Sequence, residues 1–97
     1  MSRPEPLSMA CLEWAATASS CALLSHENQT NAEQLGVLCG RVHTKADARK
    51  ALVQTEAWAD FLATEFQYSD EREWLRLLTR FDNLVSALKR TEARLKL

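Results

Sequence analysis

The sequence predicts an all-α fold, a small up-and-down bundle of three to four helices, and three observations lead there. Only two glycines and two prolines occur in 97 residues, and both prolines, Pro4 and Pro6, stand at the front, whereas a sheet needs turn residues at frequent intervals. Alanine, leucine, glutamate and arginine, all strong helix formers, dominate instead. Apolar residues recur at three- and four-residue steps, the spacing that lines them up on one helix face. The length suits one domain, 1–97, with 1–6 as a frayed tail. A hydrophobic share of 46% beside 26% charged residues is ordinary globular composition.

Helix 1 is expected from Pro6 or Leu7 to about Leu24. Leu7, Cys11, Trp14, Ala18, Cys21 and Leu24 share its inner face, and Ala10, Ala15, Ala16 and Ala22 widen it with side chains small enough for a neighbour to approach closely. Residues 25–30, Ser-His-Glu-Asn-Gln-Thr, break the pattern and read as a loop. Asn31 then reads as an N-cap, with Gln34 completing a capping box. Leu35, Leu38, Cys39 and Val42 form the next stripe. Gly36 and Gly40, one turn apart, mark either close backbone contact or two glycines tolerated in a weak helix.

Thr44 followed by Asp47 reads as a fresh N-cap with an acid in the first turn. Either helix 2 ends near His43 and helix 3 begins at Lys45, or one long helix from Asn31 to Phe66 bends there. The helix 3 stripe is Ala48, Leu52, Thr55, Ala59, Leu62 and Phe66, widened by Val53, Trp58 and Phe61. Residues 67–69 form a tight connection, with Ser69 as cap and Asp70, Glu71 and Glu73 at the positive end of helix 4. In helix 4, Trp74, Phe81, Leu88 and Leu95 repeat every seven residues, with Leu77, Leu78, Leu84 and Val85 beside them. At about 26 residues, roughly 40 Å, it outreaches helix 3. The overhang leaves Leu88 and Leu95 needing cover from helix 1 or from a second subunit, which is the argument for a two-fold homodimer.

A net charge of −1 builds no long-range attraction to nucleic acid or an anionic membrane into the whole molecule. Cys11, Cys21 and Cys39 lack metal-binding spacing. The first two share the predicted helix about 15 Å apart, too far to bridge, so free thiols in a reducing cytoplasm are expected. The mildly apolar run from Leu7 to Leu24 makes a poor export signal or membrane span. Arg3 is its only basic start, Glu13 interrupts it, and Ala18-Ser19-Ser20-Cys21 lacks the leucine of a lipobox.

One surface feature rises above this background. At about 100° per residue, Arg72, Arg76, Arg80, Arg90 and Arg94 fall within one quarter turn of helix 4, opposite the Trp74–Phe81–Leu88 stripe and joined there only by Asn83 and Ala87. The plain reading is a solvated face pairing with neighbouring acids such as Glu56 and Asp60. Read as a site, arginine's planar fork suits carboxylate or phosphate. An acidic protein partner comes first and nucleic acid second, since no helix-turn-helix or finger signature is present.

The other candidates read as structure. His26 and His43 stand near helix ends without metal-ligand partners. Cys39 and His43 share a helix face at four residues, but apolar neighbours make Cys39 a packed thiol rather than a nucleophile. Trp14, Trp58 and Trp74 fall on or beside apolar stripes and read as core, or else as an anchor for a partner. In size the chain resembles the dimeric all-α chorismate mutases. Those require several charged groups inside the bundle, where helix 1 offers only Glu13, and the resemblance ends there. The expected function is a non-catalytic protein-interaction module, a small adaptor, chaperone, inhibitor or regulator without cofactor or metal. The alternative is a nucleic-acid-associated regulator.

Overall fold

A computed structural model describes residues 6–66 and 71–95. Four helices make up the described chain: α1 (Leu7–Ser19), α2 (His26–Gly40), α3 (Lys45–Phe66) and α4 (Arg72–Arg94). Each packs on the next, and α4 closes the ring onto α1. Cross-helix pairs show α4 running antiparallel to its neighbours α1 and α3. Glu13 meets Arg80 while Ala22, just beyond α1, meets Glu73. Arg49 near the start of α3 meets Glu92 near the end of α4. The all-α up-and-down bundle is thus the observed architecture, with four helices.

The core is organised around Trp14, which is fully buried. Its indole N–H donates to the Ala32 carbonyl of α2 at 2.8 Å. Its ring stands edge-on to Trp58 of α3 at 5.6 Å and to Phe81 of α4 at 5.5 Å. One side chain therefore touches all three other helices, and its single polar atom is satisfied. Leu62, Leu77, Leu84 and Leu88 fill the rest.

Two boundaries differ from the expectation. Helix 1 stops at Ser19, not Leu24. Ser20 Oγ donates to the Ala16 carbonyl at 2.9 Å and Ser19 Oγ to the same carbonyl at 3.2 Å, competition that weakens a helix end. The chain then makes three-residue turns, with Cys21 N–H on the Ala18 carbonyl and Leu24 N–H on the Cys21 carbonyl. These turns keep Cys21 and Leu24 facing the core without a helix, so the apolar spacing outlasts the element it implied.

Most of residues 25–30, expected as a loop, is helix. Ser25 is the cap, its Oγ accepting from Asn28 N–H at 3.2 Å. Asn31 is an exposed mid-helix residue and not an N-cap. The first turns of α2 meet the core only at Ala32, so their polarity disguises the start.

The break near Thr44 is real. Asp47 N–H donates to Thr44 Oγ1, and Asp47 Oδ2 accepts from the N–H groups of both His43 and Thr44, each at 3.1 Å. This reciprocal cap satisfies donors that a helix start leaves open. The backbone bonds from His43 and Thr44, with the Thr44 hydroxyl contact, hold the Asp47 carboxyl below its ordinary range.

The glycines divide. A Cβ on Gly36 would lie 3.3 Å from both the Ala15 Cβ and the Cys11 carbonyl oxygen, so here α1 and α2 approach through the missing side chain. A Cβ on Gly40 would meet nothing within 4 Å. Val53 and Ala59, assigned to the helix 3 stripe, are exposed.

The helix 4 overhang is not found, because α3 and α4 span 22 and 23 residues. Leu88 is fully buried within the single chain. The capping position of α4 falls at Glu71. The frayed tail before Pro6, the 67–69 connection and the Ser69 cap lie outside the described residues. No helix among the described residues is long and apolar enough to cross a membrane.

Candidate functional site

The arginine face of α4 meets the bundle along the α1–α4 seam. Arg72, Arg76 and Arg94 are exposed, whereas Arg80 and Arg90 are half-buried. Ala87, in the same sector, is only 2% exposed, on a helix that packs against both α1 and α3. The buried face of α4 is therefore wider than the seven-residue stripe implies. It reaches the Arg80 edge of the row and sets that inner arginine apart from the exposed outer pair, Arg72 and Arg76.

Arg80 marks the inner part. Its Nη1 donates to Glu13 Oε2 at 2.7 Å. The pairing acid comes from α1, not from the Glu56 and Asp60 of α3 that the sequence suggested, and the arginine row is not turned wholly away from the bundle. A partly exposed pair of this kind contributes roughly 0–1 kcal/mol, so its main effect is to fix where Arg80 points. Glu13 is the only ionisable side chain of α1 apart from its thiol, and a lone carboxylate on an otherwise apolar helix was the signal that could have identified this pairing.

Beside the pair lies a cleft of about 520 Å³ between α1 and α4, lined by Thr17, Ser20, Glu73, Arg76 and Arg80 among others. Glu73 Oε2 accepts from Ala22 N–H at 3.2 Å, which ties one wall to the α1–α2 connection. Arg76 stands exposed on the cleft with no ion pair among the described residues, and Arg72 one turn away is likewise without one. The arrangement offers two unmatched guanidinium groups beside a neutralised third, a geometry for holding carboxylates.

Candidates for chemistry elsewhere are not brought together. Cys39 ends up fully buried near the close of α2, while His43 is exposed in the connection that follows. The Cys39 thiol shares a hydrogen bond with Cys11 across the α1–α2 seam, and that bond, with burial, pushes it far above the ordinary thiol range. A thiol held protonated is a poor nucleophile. Among the described residues no group of three His, Cys, Asp or Glu side chains is placed to hold a metal ion. Trp14 and Trp74 are core, and Trp58 is half-buried.

Comparison of the chain with protein-family models, with curated proteins and with solved structures finds no match.

Proposed function

We propose that this chain is a non-catalytic protein-interaction module, an adaptor, chaperone, inhibitor or regulator, that docks an acidic segment of a partner protein on the outer arginines of α4. The observation that carries this reading is the pair Arg72 and Arg76. They are exposed, one turn apart, without an acid of their own among the described residues, and Arg76 opens on a polar cleft. Arginine forks at that spacing suit successive carboxylates along an acidic stretch. The buried thiols Cys11, Cys21 and Cys39, all free, support a reducing setting such as the cytoplasm. Self-association as a homodimer loses the support of the helix 4 overhang and rests only on the exposed side chains of Met9 and Leu12 on α1.

The test is fluorescence anisotropy with a labelled hexaglutamate peptide and, in parallel, a short DNA duplex, each across a salt series. The expected result is peptide binding that the double variant R72E/R76E abolishes while its helical circular dichroism is unchanged. Duplex binding with the steeper loss in salt would favour the nucleic-acid alternative. Binding of neither probe would leave the arginine face as solvated surface.

A further inference from the structure

The seam opposite the arginine face, between α2 and α3, is built from different materials. It holds a cleft of about 430 Å³, within the span of roughly 300–1,000 Å³ typical of ligand sites. Its apolar side is formed by Leu35, Trp58 and Phe61, with the two aromatic rings edge-to-face at 5.4 Å. Around them stand four carboxamides, Asn28, Asn31 and Gln34 from α2 and Gln54 from α3. Although a quarter of the chain is charged, no charged side chain lines this cleft.

The four carboxamides make no side-chain hydrogen bond among the described residues. Each carries a donor and an acceptor side by side, the same pair that a peptide group presents. A charged ligand would lose hydration here with no counter-ion to replace it. A short extended peptide satisfies both parts, with its backbone on the carboxamides and its apolar side chains on Trp58 and Phe61. We propose that the α2–α3 cleft is a binding site for a short, uncharged, extended peptide segment of a partner protein, read through its backbone and one or two apolar side chains. It shares nothing with the arginine face, so either site can fail without the other.

The probe is the blocked tetrapeptide acetyl-Ala-Leu-Phe-Ala-amide, titrated into the full chain and followed by two-dimensional nitrogen–proton NMR. Saturable shifts are expected at the side-chain amides of Asn31, Gln34 and Gln54 and at the Trp58 indole, with half-saturation near or below about 1 mM. The indole of Trp74, buried on α4 away from the cleft, serves as the internal reference and stays in place. Gln34→Glu and Gln54→Glu, exposed changes that leave the core intact, should each weaken binding by about tenfold, as an unmatched polar contact does. R72E/R76E should leave it unchanged. The proposal is overturned if those resonances do not move, if both Glu variants bind as wild type does, or if R72E/R76E removes binding. It is overturned equally if acetyl-Ala-Glu-Glu-Ala-amide or chitobiose produces the same shifts at the same concentration.

Discussion

The α1–α2 seam and the α2–α3 seam share a helix and differ in how they are filled. On one side α2 presents Gly36, Ala32 and Cys39, and α1 comes close enough for a glycine Cα to lie against its backbone. On the other it presents Leu35 and Leu38 to Trp58 and Phe61, and the large side chains stand off around a cleft. Small residues allow continuous contact, whereas large ones bridge a distance and leave room between them. For α2 the difference puts cohesion on the side that faces α1 and leaves accessible space on the side that faces α3.

The two tryptophans on the helices that flank α2 give the sharpest test. Trp14→Ala should cost about 3–5 kcal/mol, from the cavity left by a large aromatic, and it also removes the donor to the Ala32 carbonyl. Half-buried Trp58 should cost less on truncation, about 1–3 kcal/mol. Urea unfolding of both variants measures the gap. Equal losses would mean that the α2–α3 seam is as cohesive as its neighbour, and the contrast would be gone.

The glycines sharpen the same comparison at smaller scale. Gly36→Val should destabilise by about 1–3 kcal/mol, because its side chain meets the α1 backbone carbonyl of Cys11. Gly40→Ala should stabilise by roughly 0.5–1 kcal/mol, since the new methyl enters open space and restricts the unfolded chain. A shared sign for these two melting shifts would show that seam distance does not decide the outcome.

The smallest effect belongs to the α2–α3 connection. The Asp47 carboxyl titrates below its ordinary value in the folded chain because His43 and Thr44 N–H groups donate to it. Its contribution is therefore complete above the unfolded carboxylate pKa, about 3.9, and is lost as pH falls through the lower folded value. A carbon-detected NMR titration should find the Asp47 midpoint below that of a free aspartate. The α3 start should fray in acid earlier than the α3 centre, and D47N should remove that pH dependence.

What was legible in the sequence depended on how strongly each feature was determined locally. The Thr44–Asp47 break could be read because a capping box is a local code of four residues. The α4 core could be read because Trp74, Leu77, Phe81, Leu84 and Leu88 keep helical spacing throughout. The end of α1 was not legible, since consecutive three-residue turns keep Cys21 and Leu24 in phase with a helix that has already stopped. The start of α2 was hidden because its first turns are polar. At the arginine face the row itself was visible, but its division was not. That division depends on the burial of Ala87 in the assembled bundle and on Glu13 reaching Arg80, a contact across 67 residues. The carboxamide rim was missed because it joins Gln54 to residues on another helix, and no spacing within one helix reports such a meeting.

The burial of all three thiols has a practical consequence. Each is positioned to time a different opening of the bundle: Cys11 within α1, Cys21 in the turn that follows it, and Cys39 near the end of α2. A small disulfide reagent can reach them only while the surrounding structure is displaced, so its reaction rate counts those displacements. Single-cysteine versions of the chain would then serve as three clocks. The Cys21 clock should run fastest, because it depends on a turn rather than on the separation of two closely packed helices.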